Sequence, residues 1–194
     1  MTKAMTALLL NGANDSSLDE IQKAITHELE MRNIDVTSRI MREIDIKFCT
    51  GCFGCWVKTP GKCVIDDESR NITKQMVRAD VLVYLTPISF GGYSYQLKKA
   101  VDRFIPNILP YFKCYNGETH HKQRYENRSR LVAYGVLDRE DKEQERMFAL
   151  LNYRNFLNMK PPGNALGIIY KTDSINKIIE KITNALNSAE VNNA

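Results

Sequence analysis

Nothing in these 194 residues is long and apolar enough to suggest a membrane-spanning helix. The longest early apolar run, Ala7-Leu8-Leu9-Leu10, stops at Asn11-Gly12 and is too short for the core of a signal peptide. Both absences lead us to expect a cytoplasmic protein with no membrane partner. A basic block is missing as well, and a net charge of only +4 leaves nucleic acid without an electrostatic footprint. There is no internal repeat and no low-complexity tract. Gly-x-Gly-x-x-Gly and the lysine-bearing P-loop are also absent, so the commonest signatures of dinucleotide and triphosphate binding do not apply.

What the chain does have is cysteine in an unusual arrangement. In a compartment that keeps thiols reduced, five cysteines suggest metal or redox chemistry more than a disulfide framework. Three fall within seven residues, Cys49-Thr50-Gly51-Cys52-Phe53-Gly54-Cys55, and Cys63 follows eight positions later. Four local thiolates are what a [4Fe–4S] cluster needs. Gly51 and Gly54 would relieve the turn, and Cys63 would close it across the bend Lys58-Thr59-Pro60-Gly61. Zinc more often takes two separated Cys-x2-Cys pairs, so the spacing disfavours it. Thiols that simply pack, or that form switchable disulfides, are the competing reading. Cys114 has no place in a four-cysteine scheme.

Elsewhere apolar runs alternate with amphipathic stretches. Strands are expected at Thr6 to Leu10, Asp35 to Ile40, Val81 to Leu85, Leu131 to Tyr134 and Leu166 to Tyr170. Helices are expected over 17–31, 68–78, 93–105 and 139–158, with a last one capped by Asp173 or Ser174. This alternation predicts a single α/β domain over 1–194, built on a doubly wound five-stranded parallel sheet. Its ligand should lie beyond the carboxyl ends of the strands, where the strand order reverses. Residues 106–129 separate the third helix from the fourth strand by more than such a connection needs, and their aromatic content predicts an ordered excursion. The tail, 188–194, is expected to fray.

Two strand-end segments carry the candidate ligand site. The first strand runs into Asn11-Gly12-Ala13-Asn14-Asp15-Ser16-Ser17, where small residues and hydroxyls before a helix can cradle a monophosphate. A plain turn capped by Ser16 or Ser17 is the alternative, and Asp15 must point away from a phosphate or cap an amide. The third strand ends in Thr86-Pro87-Ile88-Ser89-Phe90-Gly91-Gly92-Tyr93, which offers close backbone approach at the glycines and apolar surface for a flat ring at Pro87 and Phe90. His120 and His121, as neighbours on a strand, should face opposite ways. Surface or interface positions are expected for both. Lys98 and the Asp102–Arg103 pair read as helix-surface contacts and caps, and Trp56 as packing beside the cysteines or at a subunit contact.

The strand-end phosphate loop, the run Cys49 to Cys63 followed by Asp66-Asp67, Ala79-Asp80, Thr86-Pro87, and Leu97-Lys98 with Asp102-Arg103 together resemble the NADPH-dependent FMN reductase family, and within it the iron–sulfur flavoproteins. The block Gly117 to His121 with Arg124-Tyr125 resembles a subgroup of the same flavodoxin-like oxidoreductases. The resemblance is good over about residues 5–105 and looser beyond. It implies a flavodoxin-like fold, bound FMN, a homo-oligomer (dimer or tetramer), and electrons drawn from NAD(P)H or a ferredoxin. The acceptor would be a quinone, flavin, metal or protein. By the same resemblance Gly12, Ala13, Asn14, Ser16, Ser17 and Leu18 would hold the FMN phosphate. Pro87, Ile88, Ser89, Phe90, Gly91 and Gly92 would line the isoalloxazine ring, and Gly135 and Val136 would close the far side. Cys49, Cys52, Cys55 and Cys63 would bind the cluster. The flavin carries the chemistry, so no catalytic side chain is implied. The phosphate loop departs from the family's usual form in lacking an arginine. A flavodoxin-like carrier reduced by ferredoxin and a thiol-based redox sensor are the alternative functions.

Overall fold

The computed structural model describes residues 4–191. In chain order the elements are β1 (Thr6–Asn11), α1 (Asp19–Glu30), β2 (Asp35–Ile40), α2 (Gly54–Val57), α3 (Ser69–Arg78), β3 (Val81–Ser89), β4 (Gly92–Tyr93), α4 (Tyr95–Asp102), β5 (Ile108–Tyr115), β6 (Glu118–Gln123), β7 (Arg130–Leu137), α5 (Lys142–Met159), β8 (Asn164–Tyr170) and α6 (Ile175–Ser188). Short 3₁₀ turns at Ser16–Leu18, Met41–Glu43 and Ile105–Asn107 lead into or out of these elements.

The main sheet has strand order β2-β1-β3-β7-β8, all parallel, with β4 paired antiparallel to the end of β3. This is the doubly wound, flavodoxin-like arrangement. Strand side chains alternate between faces, so the sheet splits the core in two. Leu9, Val83, Val132 and Tyr134 join α1 and α6 on one face, whereas Leu8, Leu10, Leu82, Tyr84 and Ala133 join α3, α4 and α5 on the other. A continuous apolar run such as Leu8-Leu9-Leu10 is what a strand covered on both faces requires. The order reverses at β1 and β3, which places their two carboxyl-end segments side by side.

Several boundaries differ from expectation. β3 continues to Ser89 and turns back into β4 through Phe90 (φ 50°) and Gly91 (φ 72°), so the expected 87–92 loop is a strand extension with a two-residue hairpin tip. Both tip residues are left-handed, as a tight hairpin whose twist matches its strands demands. The helix expected from Tyr93 starts at Tyr95, because Ser94 caps it by accepting the Leu97 amide. β7 reaches Leu137, three residues beyond the expected end.

The excursion is ordered: β5 and β6 form their own two-stranded sheet. It is fastened to α5 by Gln123 donating to the Asn158 carbonyl (2.7 Å), and by an Arg154–Glu118 ion pair (2.9 Å). At the C-terminus the expected fraying does not hold for residues 188–191. Ala189 and Val191 are fully buried, and Arg32 donates to the Val191 carbonyl, because the residues after α6 fill the core face beside α1. The rest of that expectation, 192–194, lies outside the described residues.

Candidate functional site

The segment after β1 is shaped by Asn11, which is fully buried. Its side-chain carbonyl accepts the Ala13 amide (2.9 Å), and its amide nitrogen donates to Gln22 (2.8 Å). Gly12 gives its amide to the Leu85 carbonyl (2.8 Å), and its own carbonyl accepts the Ser94 hydroxyl. A Cβ on Gly12 would stand 2.5 Å from the Leu97 Cβ and 2.9 Å from the Ser94 Oγ. Only glycine lets the β1 segment lie this close to the start of α4. Beyond it Asn14, Asp15, Ser16 and Ser17 are exposed, and Ala13 and Leu18 are buried. The amides of Asn14, Asp15 and Ser16 meet no acceptor among the described residues, so they are free to meet an anion.

Asp15 caps the Ser17 amide (2.9 Å), which is one of the two arrangements open to it. The Ser17 hydroxyl and amide hold its carboxyl below the usual range. The cap on this turn is therefore Asp15 and not a serine, and its carboxylate competes with any anion for one amide. A cation reaches the segment from a neighbouring strand. Arg42, in the turn after β2, donates to the Asp15 carbonyl (2.8 Å) and pairs with Asp19 (2.8 Å). Sequence reasoning missed it because the arginine follows a different strand. The adjacency of β2 and β1 was the available signal.

On the β3 side the hairpin carries the remaining candidates. Ile88 is buried, Phe90 at the tip is 95% exposed, and Gly91 packs so that a Cβ would come 2.5 Å from the Met147 Cβ of α5. Pro87 and Ser89 flank Ile88 on the strand itself. Gly135 and Val136 lie inside β7, and a Cβ on Gly135 would collide with Phe148 and Ile88. Because β7 runs on to Leu137, its exposed exit begins at Asp138. Gly135 and Val136 are thus core residues that set the spacing of the crevice but do not wall it.

The cysteine run folds into a loop of its own. Gly51 (φ 63°) and Phe53 (φ 52°) bend the chain through the left-handed region, and a Cβ on Gly54 would meet Val64 at 2.6 Å. The folded loop brings Cys49, Cys52, Cys55 and Cys63 around one small cavity of about 20 Å³, closed by Ile65 and Ile105. Burial, then the nearby Cys63, push the Cys55 thiol up. The Gly54 amide and the Thr50 side chain pull the exposed Cys52 down. Among the described residues no three His, Cys, Asp or Glu side chains converge as the ligands of one ion would. Four thiols lining one cavity are the donor type that a [4Fe–4S] cluster takes. Cys114 lies exposed on β5, opposite Thr119 and outside this group.

Arg103 secures the base of the loop. It is 1% exposed and pairs with Asp67 (3.0 Å), while donating to the carbonyls of Lys47 (2.7 Å) and Ile65 (3.4 Å). One guanidinium thus joins the chain entering the run to the chain leaving it. The sequence reading put Arg103 on a helix surface; its place at the end of α4 turns it inward. Lys98 and Asp102 do pair on the surface. Trp56 sits beside the cysteines, donating to the Ile105 and Ile108 carbonyls (3.2 and 3.0 Å) and packing on His121 (5.0 Å between rings). His120 points the other way, buried between Asn158 and Glu118.

A doubly wound sheet with paired loops at its reversal point defines a nucleotide-binding α/β protein of the flavodoxin type. The chain belongs to the NADPH-dependent FMN reductase family, whose model matches residues 5–168. A 58-residue stretch is 45% identical to an iron–sulfur flavoprotein of Methanocaldococcus jannaschii, covering 30% of this chain and 29% of that one. A 100-residue stretch is 27% identical to an iron–sulfur flavoprotein of Archaeoglobus fulgidus, covering 51% and 48%. The chain thus matches less than half the length of each of these relatives. Among solved structures, an NAD(P)H:quinone oxidoreductase from Methanothermobacter marburgensis superposes with a TM-score of 0.67 at 12% identity, over 94% of this chain and 98% of that one. An azoreductase from Bacillus anthracis gives 0.62 at 14% identity, over 96% and 98%. At such identities the likeness is one of fold. Among the described residues, no helix is long and apolar enough to cross a membrane.

Proposed function

We propose that the chain is a single-domain, FMN-dependent oxidoreductase that takes electrons from NAD(P)H and passes them to a quinone, flavin or protein acceptor. The observation that carries this reading is the contact between the β1 and β3 segments at the strand-order reversal. There Gly12 packs on Ser94 and Leu97 and leaves three amides free. In this reading the amides of Asn14 to Ser16 and the Ser16 and Ser17 hydroxyls bind the FMN phosphate. Arg42 balances the acidic groups Asp15 and Asp19 beside it, and Asp15 rotates off the Ser17 amide when the phosphate arrives. Pro87, Ser89, Phe90 and Gly92 present the hairpin surface to the ring. FMN, when bound, supplies the two-electron chemistry, so the protein needs only to bind, orient and exclude water.

We further propose that Cys49, Cys52, Cys55 and Cys63 hold a [4Fe–4S] cluster, which would supply one-electron transfer. Their arrangement around one cavity supports this, as do the names of the two relatives. The cavity is closed to about the size of one water. An open cavity of about 380 Å³ adjoins Cys49 and Gly51, lined by Val101, Phe104, Ile105, Ile108 and Met159 with Asp102, Asn155 and Asn158. Its apolar walls, with two amides and the Lys98-paired Asp102 at the edge, suit a flat acceptor such as a quinone.

A homo-oligomer completes the reading. Phe90, Met147, Leu150 and Tyr153 are exposed on the hairpin tip and on α5, apolar side chains that a second copy of the chain could cover. The test of the whole reading is the visible spectrum of anaerobically purified protein, with iron assayed on the same sample. Flavin bands with about four irons per chain support both centres. Flavin without iron removes the cluster, and the absence of flavin after FMN loading removes the reductase.

A further inference from the structure

A concavity of about 440 Å³ lies away from the β1 and β3 segments and borders the cysteine loop at Cys63. It runs along the outer flank of α3, between the bend at Gly61–Cys63 and Tyr125 on the return of the excursion. Four cations line it, Lys62, Arg70, Lys74 and Arg78, together with Asn71, Thr73 and Asn107, and no carboxylate does. Arg70, Lys74 and Arg78 repeat every fourth residue and therefore stack on one side of the helix. Like charges at this spacing repel. The helix dipole offsets that repulsion only for Arg78 in the last turn, since Lys74 is mid-helix and Arg70 sits in the first turn, where a cation is disfavoured. Arg70 pairs with Asp66, which points to solvent, whereas Lys62, Lys74 and Arg78 form no ion pair among the described residues.

We propose that this cavity binds an organic phosphate of about nucleoside-diphosphate size. The volume falls within the range of about 300–1,000 Å³ typical of small-ligand sites. Guanidinium groups offer phosphate a fork of donors, and a concave wall of one charge sign focuses the field on an anion. Asn107 is 4% exposed and fixed by its bond to the Thr73 carbonyl (3.2 Å), so it is a rigid polar group on the floor. Tyr125 at the rim offers a ring on which a base can stack. The site also touches the redox loop. Cys63 lines both this cavity and the four-cysteine cavity, and Arg70 donates to the Cys63 and Val64 carbonyls (2.9 and 3.2 Å). Arg70 is held to those carbonyls and to Asp66, so Lys62, Lys74 and Arg78 carry the phosphate, and Arg70 couples their wall to the segment that bears the fourth thiol.

Calorimetric titration of FMN-saturated protein with pyrophosphate, ADP and adenosine tests the proposal, with flavin absorbance read on the same sample. Pyrophosphate and ADP should bind at low salt and adenosine should not. K74E/R78E changes only exposed groups, so it should keep the fold by circular dichroism while weakening ADP binding at least about tenfold. No binding of ADP or pyrophosphate up to about 1 mM overturns the proposal. So does binding that K74E/R78E leaves unchanged, because the phosphate would then sit elsewhere, the β1 segment included.

Discussion

Replacing Arg103 by methionine removes one of the two side chains, with Asp67, that tie together both ends of the cysteine loop. Its side chain is 1% exposed and that of Asp67 10%, so the pair is shielded from water. Breaking a buried pair by removing one partner costs about 3–5 kcal/mol, because the remaining charge stays desolvated. Asp67 would keep the Ser69 hydroxyl and the Lys47 and Ser69 amides. That residual bonding places R103M at the lower end, about 3 kcal/mol, or a fall in Tm of about 6–12 °C for a chain of this size. The pH dependence has a definite sign. Burial alone would raise the Asp67 carboxyl, but Ser69, Lys47 and Arg103 hold it below its ordinary 3.8. Its contribution is present above about pH 4 and is lost as the pH falls through the lowered value. The deficit of R103M should therefore shrink below about pH 4, where the orphaned carboxylate is protonated. Locally, the Lys47 and Ile65 carbonyls lose a donor, and the buried Cys55 should alkylate faster. Urea unfolding across pH and mass-spectrometric alkylation read both effects. A Tm within about 2 °C of wild type, with Cys55 equally protected, would refute the clamp.

Gly12→Ala should lower flavin retention and cost about 1–3 kcal/mol, since the new methyl overlaps Leu97 and Ser94 and forces α4 away from the β1 segment; flavin absorbance after gel filtration and urea unfolding check it. Gly54→Ala meets Val64 in the same way and should reduce iron content on reconstitution while leaving flavin content at the wild-type level. Asp173 opposes its burial through Lys181, the Tyr170 amide and Lys177, which bring its carboxyl down to about 2. It should contribute about 2 kcal/mol above pH 4, lost as the pH falls toward 2, and Asp173→Asn should flatten that part of the stability curve. Leu150→Asp, placed among Met147 and Tyr153 on α5, should shift sedimentation toward the monomer without loss of secondary structure.

Much of this molecule was legible from local pattern. The runs at Leu8-Leu9-Leu10 and Val81 to Leu85 could only be strands buried on both faces, and their alternation with amphipathic helices led to the doubly wound sheet. The Cys49–Cys63 spacing pointed to a four-thiol group, and the adjacency of His120 and His121 on a strand pointed to opposite faces. Each of these depends on neighbours within a few residues, where chain geometry alone sets which side chains can meet. The tertiary structure decided what depends on contacts distant in sequence. Arg103 is a buried clamp because Lys47 and Asp67 arrive beside it from the two ends of the cysteine segment. Arg42 reaches Asp15 because β2 lies next to β1. Gly135 is core because Phe148 of α5 crosses over it. The cations spaced every fourth residue on α3 line a cavity only because the excursion and the cysteine bend lie beside them. Periodicity shows which side of an element is apolar, but only packing brings a second segment against the polar side, and that is where the candidate sites lie.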